Sequence, residues 1–99
     1  MTEQTAPMTL RLLTPSGVSA DVGCDSVQLT LREGIDGKGG GLIGIKRDHA
    51  PAVMALGEGA ILARLEGTVV FRAAVADGFA SVENNVVTVI TDSASVETV

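Results

Sequence analysis

An all-β fold is the architecture this sequence predicts, an antiparallel sandwich or flattened barrel of nine or ten short strands. Three observations carry that reading. Apolar residues recur with a period of two in the best-patterned segments, which sets them on one face of a strand. Turn residues interrupt those segments at short intervals. No segment sustains the ~3.6-residue period of an amphipathic helix, and no repeat of solenoid length is present. The 99 residues amount to one domain, long enough to bury about two thirds of the unfolded surface without a disulfide or metal staple. With 45% hydrophobic and 19% charged residues, the chain is not intrinsically disordered.

The elements follow in order. Residues 1–7 are small and polar and are expected to form a flexible N-terminus. Pro15-Ser16-Gly17 reads as a turn. Val27-Gln28-Leu29-Thr30-Leu31-Arg32 alternates, so Val27, Leu29 and Leu31 share one face. Gly34–Gly44 carries six Gly in eleven residues, a density at odds with a strand interior, and is expected to be a flexible loop. Ala60–Glu66 sets Ile61, Ala63 and Leu65 opposite Leu62, Arg64 and Glu66. Glu66-Gly67 turns the chain into Thr68–Ala76, where Val69, Phe71 and Val75 fall on one side and Arg72 on the other. Asp77-Gly78 is a further turn, leading to a strand at Ala80–Glu83. Asn84-Asn85 suits a type I′ hairpin, because Asn tolerates the positive φ that turn requires. Val86–Thr91 is apolar on both faces and β-branched, the pattern of a central strand covered on both sides. Ser93–Val99 is small and polar and is expected to fray.

Several chemistries are excluded. Two Phe with no Trp or Tyr offer no base-stacking surface, and a net charge of −5 has the wrong sign for phosphate binding. One Cys and one His cannot make an ordinary zinc site or a disulfide framework. The glycine-rich loop lacks P-loop spacing: two residues separate Gly34 from Gly37-Lys38, Gly39 replaces the Mg²⁺-binding Ser or Thr, and no helix follows. His49 stands beside Asp48 but has no Ser or Cys near it in sequence, and a structural role at a turn suits it better than catalysis. Cys24 lies next to Asp25, which opposes a reactive thiolate. The opening MTEQTAPMTL has neither a basic cluster nor an apolar core of a signal peptide. No stretch approaches the ~20 apolar residues of a membrane helix, so a soluble cytoplasmic chain is expected. What remains is a surplus of apolar positions: Leu13, Leu62, Val70, Ala74 and Ile90 fall opposite the core faces. A contiguous exposed set of these would mark a partner site, whereas scattered ones would not.

Three stretches together resemble a known family. Thr9-Leu10-Arg11-Leu12-Leu13-Thr14-Pro15 is similar to its opening strand. Gly41-Leu42-Ile43-Gly44-Ile45-Lys46-Arg47-Asp48-His49-Ala50-Pro51 resembles its G-x-x-G-I-x-x-x-H-A-P segment. Asp77–Val82 followed by Asn84–Ala94 resembles its closing hairpin. The family is the epsilon subunit of the F-type ATP synthase, called delta in mitochondria, and the likeness spans residues 8–94, leaving 95–99 as a tail.

That resemblance implies a ten-stranded antiparallel sandwich of two five-stranded sheets and a noncatalytic rotor subunit. It implies a place in the central stalk of a proton-translocating synthase, between the gamma subunit and the c-ring. Thr14, His49, Ala50, Pro51 and Met54 are the positions it assigns to the gamma interface, with His49–Pro51 opening a strand. Gly34, Ile35, Asp36, Gly37, Lys38, Gly39, Gly40, Gly41 and Leu42 form the loop it assigns to the c-ring. It also implies a peripheral location at the cytoplasmic face of the inner (plasma) membrane, without direct insertion. Periodicity and length lead to the expectation of a monomer when isolated, and composition and charge to that of no nucleic-acid partner. No cofactor, metal or catalytic residue is expected. The family usually continues into a C-terminal helical hairpin that inhibits ATP hydrolysis and in some members binds ATP. That hairpin is expected to be absent from these 99 residues. Gly41 stands where the family often has an acidic residue, so the c-ring contact is expected to differ in detail. A β-sandwich adaptor for another partner is the alternative reading. A small-molecule-binding barrel or enzyme is a third, opposed by the scarcity of aromatic and His side chains.

Overall fold

The computed structural model describes residues 6–34 and 40–98. The described residues form ten strands and no helix. In chain order these are β1 (Met8–Thr14), β2 (Gly17–Cys24), β3 (Ser26–Leu31), β4 (Gly41–Lys46), β5 (Ala52–Leu56), β6 (Gly59–Leu65), β7 (Thr68–Val75), β8 (Gly78–Glu83), β9 (Val86–Ile90) and β10 (Ala94–Glu97). The turns obey their local chemistry. Asn84 and Asn85 both sit at positive φ, 53° and 64°, as a type I′ hairpin demands. Glu66 at 53° and Gly67 at 82° repeat that geometry between β6 and β7.

All ten strands join in one curled sheet, in the order β10-β7-β6-β3-β5-β8-β9-β1-β2, with β4 branching from β3. The expectation of two separate five-stranded sheets therefore gives way to a continuous sheet with a narrow waist. β4 lines β3 from Ser26 to Leu31. The opposite edge of β3 is divided: Ser26–Gln28 pairs with β6, and Leu31 pairs with Leu56 of β5. Two backbone bonds flank that single pair, Gly57 N–H to Thr30 C=O and Arg32 N–H to Ala55 C=O, both 3.0 Å. Register shifts interrupt the β1–β2 pair at Leu12/Leu13 and the β6–β7 pair at Ala63/Arg64, where bulges increase the twist. The curl brings β2 across the interior onto β6 and β7. Asp25, just after β2, pins that closure: its Oδ2 accepts the Glu66 N–H at 2.8 Å, and its own N–H donates to the Arg64 carbonyl at 2.8 Å.

Four expectations need correction. The sheet is not wholly antiparallel, because β1 runs parallel to β9. Those strands are far apart in sequence, so no tight hairpin forces the antiparallel sense. Gly41–Gly44 is not loop but the start of β4. Gly44 faces open space, so the pairing with β3 tolerates a missing side chain there. Ser95–Glu97 is not a frayed tail, since β10 pairs with Val75 to Arg72 of β7. Finally, β9 is central but covered on one face only: Val87 and Val89 are fully buried while Ile90 is 54% exposed. The expected flexible N-terminus lies mostly outside the described residues.

The core fills the inside of the curl. Leu10 and Leu12 of β1, Leu29 of β3, Ile45 of β4, Leu56 of β5 and Ile61 of β6 are all at most 1% exposed. Each contributes about 1.5–3 kcal/mol of hydrophobic burial. The period-two faces read from sequence hold here, with Val27, Leu29, Ile61, Ala63, Phe71 and Val75 all buried.

Candidate functional site

The residues of interest divide between the two ends of the sheet. At one end the β4–β5 connection carries Asp48, His49, Ala50 and Pro51. Asp48 turns the chain with φ 66°, and the His49 N–H donates to the Lys46 carbonyl at 3.3 Å. The His49 ring is half-buried, and its Nδ1 lies 2.7 Å from the Ala50 carbonyl oxygen. A carbonyl only accepts, so Nδ1 carries the proton and Nε2 is the nitrogen left to meet a partner. The β8–β9 turn stands alongside. Asn85 Oδ1 accepts the Asp48 N–H at 2.7 Å, and its Nδ2 donates to Asp48 Oδ1 at 3.5 Å. A shallow groove between the two turns is lined by Asp48, His49, Ala50, Pro51, Asn84 and Asn85.

Thr14 lies at the opposite end. Asn85 C=O accepts the Thr9 N–H at 2.9 Å, which fixes the start of β1 beside the His49 turn. Thr14 is five residues further along, ~17 Å at strand rise. Its Oγ1 is 3.0 Å from Ser19 Oγ and accepts the Ser16 N–H at 3.3 Å. Met54, in the middle of β5, pairs with Ala80 and packs against the buried core. Thus the structure brings His49, Ala50 and Pro51 together, but separates them from Thr14 and turns Met54 inward.

The β3–β4 loop leaves from the Thr14 end, where Leu31 pairs with Gly41. Gly34, Gly40, Gly41 and Leu42 are exposed, Leu42 at 68%. Ile35, Asp36, Gly37, Lys38 and Gly39 lie outside the described residues, five of the eleven positions expected to be flexible.

One feature escaped the sequence. On the outer face, Ala55 pairs with Phe79, Phe79 with Ile90, Ile90 with Leu13, and Leu13 with Val18. These five apolar residues form a continuous row across five strands, ~19 Å long at ordinary strand spacing. Phe79, Ile90 and Val18 are 52%, 54% and 62% exposed. The Arg32 guanidinium lies 5.8 Å from the Phe79 ring centroid at one end of the row. Of the five surplus positions singled out in sequence, Leu13 and Ile90 belong to this row. Leu62, Val70 and Ala74 lie on β6 and β7, away from it. Phe79, Val18 and Ala55 became visible only through register.

Cys24 belongs to the core rather than to a site. It is fully buried, and burial foremost, then the charge of Asp25, push its thiol pKa up.

The family described as ATP synthase, Delta/Epsilon chain, beta-sandwich domain matches over residues 7–97. Among solved structures, a chain of the Euglena gracilis mitochondrial ATP synthase (OSCP/F1/c-ring) superposes with a TM-score of 0.70 at 21% identity. The match covers 96% of the present chain and 56% of that one. A chain of the Tetrahymena thermophila mitochondrial ATP synthase central stalk and c-ring gives 0.62 at 14% identity, covering 93% of this chain and 68% of that one. At these identities the likeness speaks for the fold. No curated protein sequence matches the chain.

Proposed function

Because the chain belongs to the ATP synthase delta/epsilon family, matching its β-sandwich domain from residue 7 to 97, we propose that it is the noncatalytic sandwich of a rotor subunit in a proton-translocating F-type synthase. It links the gamma subunit to the c-ring and passes torque between ion flow and ATP synthesis. It works peripherally to the membrane, at its cytoplasmic face. The two halves of the curled sheet, β10-β7-β6-β3-β4 and β5-β8-β9-β1-β2, act as the two leaves of the sandwich.

The observation that supports this reading is the placement of the two sequence-derived contact sets. His49, Ala50 and Pro51 stand at one end of β1, while Gly34, Gly40, Gly41 and Leu42 stand at the other. A linker between two partners needs two separated faces, and this sheet offers them. For gamma to reach Thr14 as well as His49, it must extend ~17 Å along β1. That path passes Leu13 and Ile90 of the apolar row, a surface suited to burial against a partner. Met54, in the middle of β5, lies against the core rather than on this face.

Co-purification of the native gamma subunit with the tagged chain is the direct test. His49→Ala should then weaken gamma binding by ~1–2 kcal/mol, the usual loss for a buried hydrogen-bonding group, with little change in the melting temperature of the free domain. A chain that retains no gamma subunit points instead to an adaptor for another partner.

A further inference from the structure

Asn85 does more than make a turn. Its left-handed φ of 64° serves the β8–β9 hairpin, as the 53° of Asn84 does. Its backbone carbonyl also ties the hairpin to Thr9 at the start of β1. Its side chain then reaches out of the hairpin, across 37 positions in sequence, to the Asp48 N–H at 2.7 Å. That N–H belongs to a residue held at φ 66°, a conformation an L-residue adopts only with support. The next residue is His49, whose ring is locked onto Ala50. The chain of contacts therefore runs from β1, through the hairpin, into the His49 turn.

We propose that Asn85 is a positioning residue: its side-chain amide holds the Asp48–Pro51 turn in one conformation, so that the His49 turn and the Asn84–Asn85 turn meet a partner as a single preformed surface. The proposal rests on the reading of His49, Ala50 and Pro51 as a gamma contact, and it adds a residue that touches the turn rather than the partner. The physical effect is preorganisation. A turn already fixed in its bound shape loses less conformational entropy on association than one that must be ordered at that moment.

Two glycine variants separate this role from turn formation. Gly accepts positive φ freely, so Asn85→Gly keeps the hairpin and removes the clamp, while Asn84→Gly removes the neighbouring side chain of the same turn and groove and leaves the clamp in place. The measurements are titration with purified gamma subunit, thermal melting of the free domain and amide exchange at Asp48. Asn85→Gly should bind gamma ~3–10-fold more weakly than Asn84→Gly, the range of one hydrogen bond. Both variants should melt at similar temperatures, and the Asp48 amide should exchange at least tenfold faster in Asn85→Gly only. Equal gamma affinities for the two variants overturn the positioning role. Unchanged exchange at Asp48, with His49→Ala still impaired, overturns the clamp while leaving the interface reading intact. Native affinity in His49→Ala removes the interface reading, and the positioning role falls with it.

Discussion

Gly78 shows how much of this fold hangs on one missing side chain. It opens β8 at φ 144°, and a Cβ built there would run into the Ile90 carbonyl oxygen and lie 3.1 Å from Thr91 Cβ. Thr91 is itself buried, with its Oγ1 donating to the Asp77 carbonyl at 2.7 Å, so the contact has little room to relax. Gly78→Ala should therefore cost ~2–4 kcal/mol, combining backbone strain with overpacking. Gly67 is the control: its φ is 82° but nothing lies within 4 Å of the added Cβ, so Gly67→Ala should cost only ~1 kcal/mol of left-handed strain. Urea midpoints of the two variants give the comparison, and equal midpoints would contradict it.

At the scale of the element, β1 and β9 present two faces with different duties. Leu12 and Val89 pair on the inside, continuing to Ala80 and Met54. Leu13 and Ile90 pair on the outside, in the row that includes Phe79 and Val18. Leu12→Ala removes a fully buried side chain and should destabilise the domain by ~2–5 kcal/mol. The double variant Phe79→Ser, Ile90→Thr gives up one cross-strand apolar pair at a half-exposed site and should cost only ~0.2–1 kcal/mol. The outer variant should nevertheless lose gamma affinity if gamma runs along β1, as measured by the same titration. A large melting loss in the outer variant would assign the row to stability instead.

On the scale of the whole molecule, the question is whether a sheet with so narrow a waist unfolds as one unit. β3 joins β5 in the ladder through one residue pair, yet β2 crosses the interior to β6 and β7, and Asp25 bonds the far turn. The two halves are therefore closed on each other by packing rather than by the ladder. Cys24 is a built-in probe of that closure, being fully buried where β2 ends. Its pKa is raised above the ordinary 9.0, so the folded chain holds the thiol proton more tightly than the unfolded one. The stability this contributes is complete below the unfolded pKa and is lost as pH rises through the folded value. Modification of Cys24 by a thiol reagent near neutral pH should need global opening, and its rate should rise with urea in step with the unfolding constant. Fast labelling that ignores urea would show that β2 detaches locally.

Periodicity and turn chemistry are local, and what depends on them was legible in the chain itself. The strands from Val27, Ala60 and Thr68, the left-handed Asn84 and Asn85, and the family likeness carried by His49-Ala50-Pro51 all follow from neighbours a few residues apart. Other features depend on which strands meet, and only the folded sheet decides that. Gly41–Gly44 reads as loop until the ladder with β3 makes it a strand. Val86–Thr91 reads as a strand covered on both faces until Ile90 is seen on the open outer face of β9. The apolar row needs four registers at once, none encoded in any single segment. Likewise, nothing in the sequence separates Thr14 from His49. The length of β1 does, because a strand rises ~3.3 Å per residue and sets Thr14 at the other end of β1 from the His49 turn.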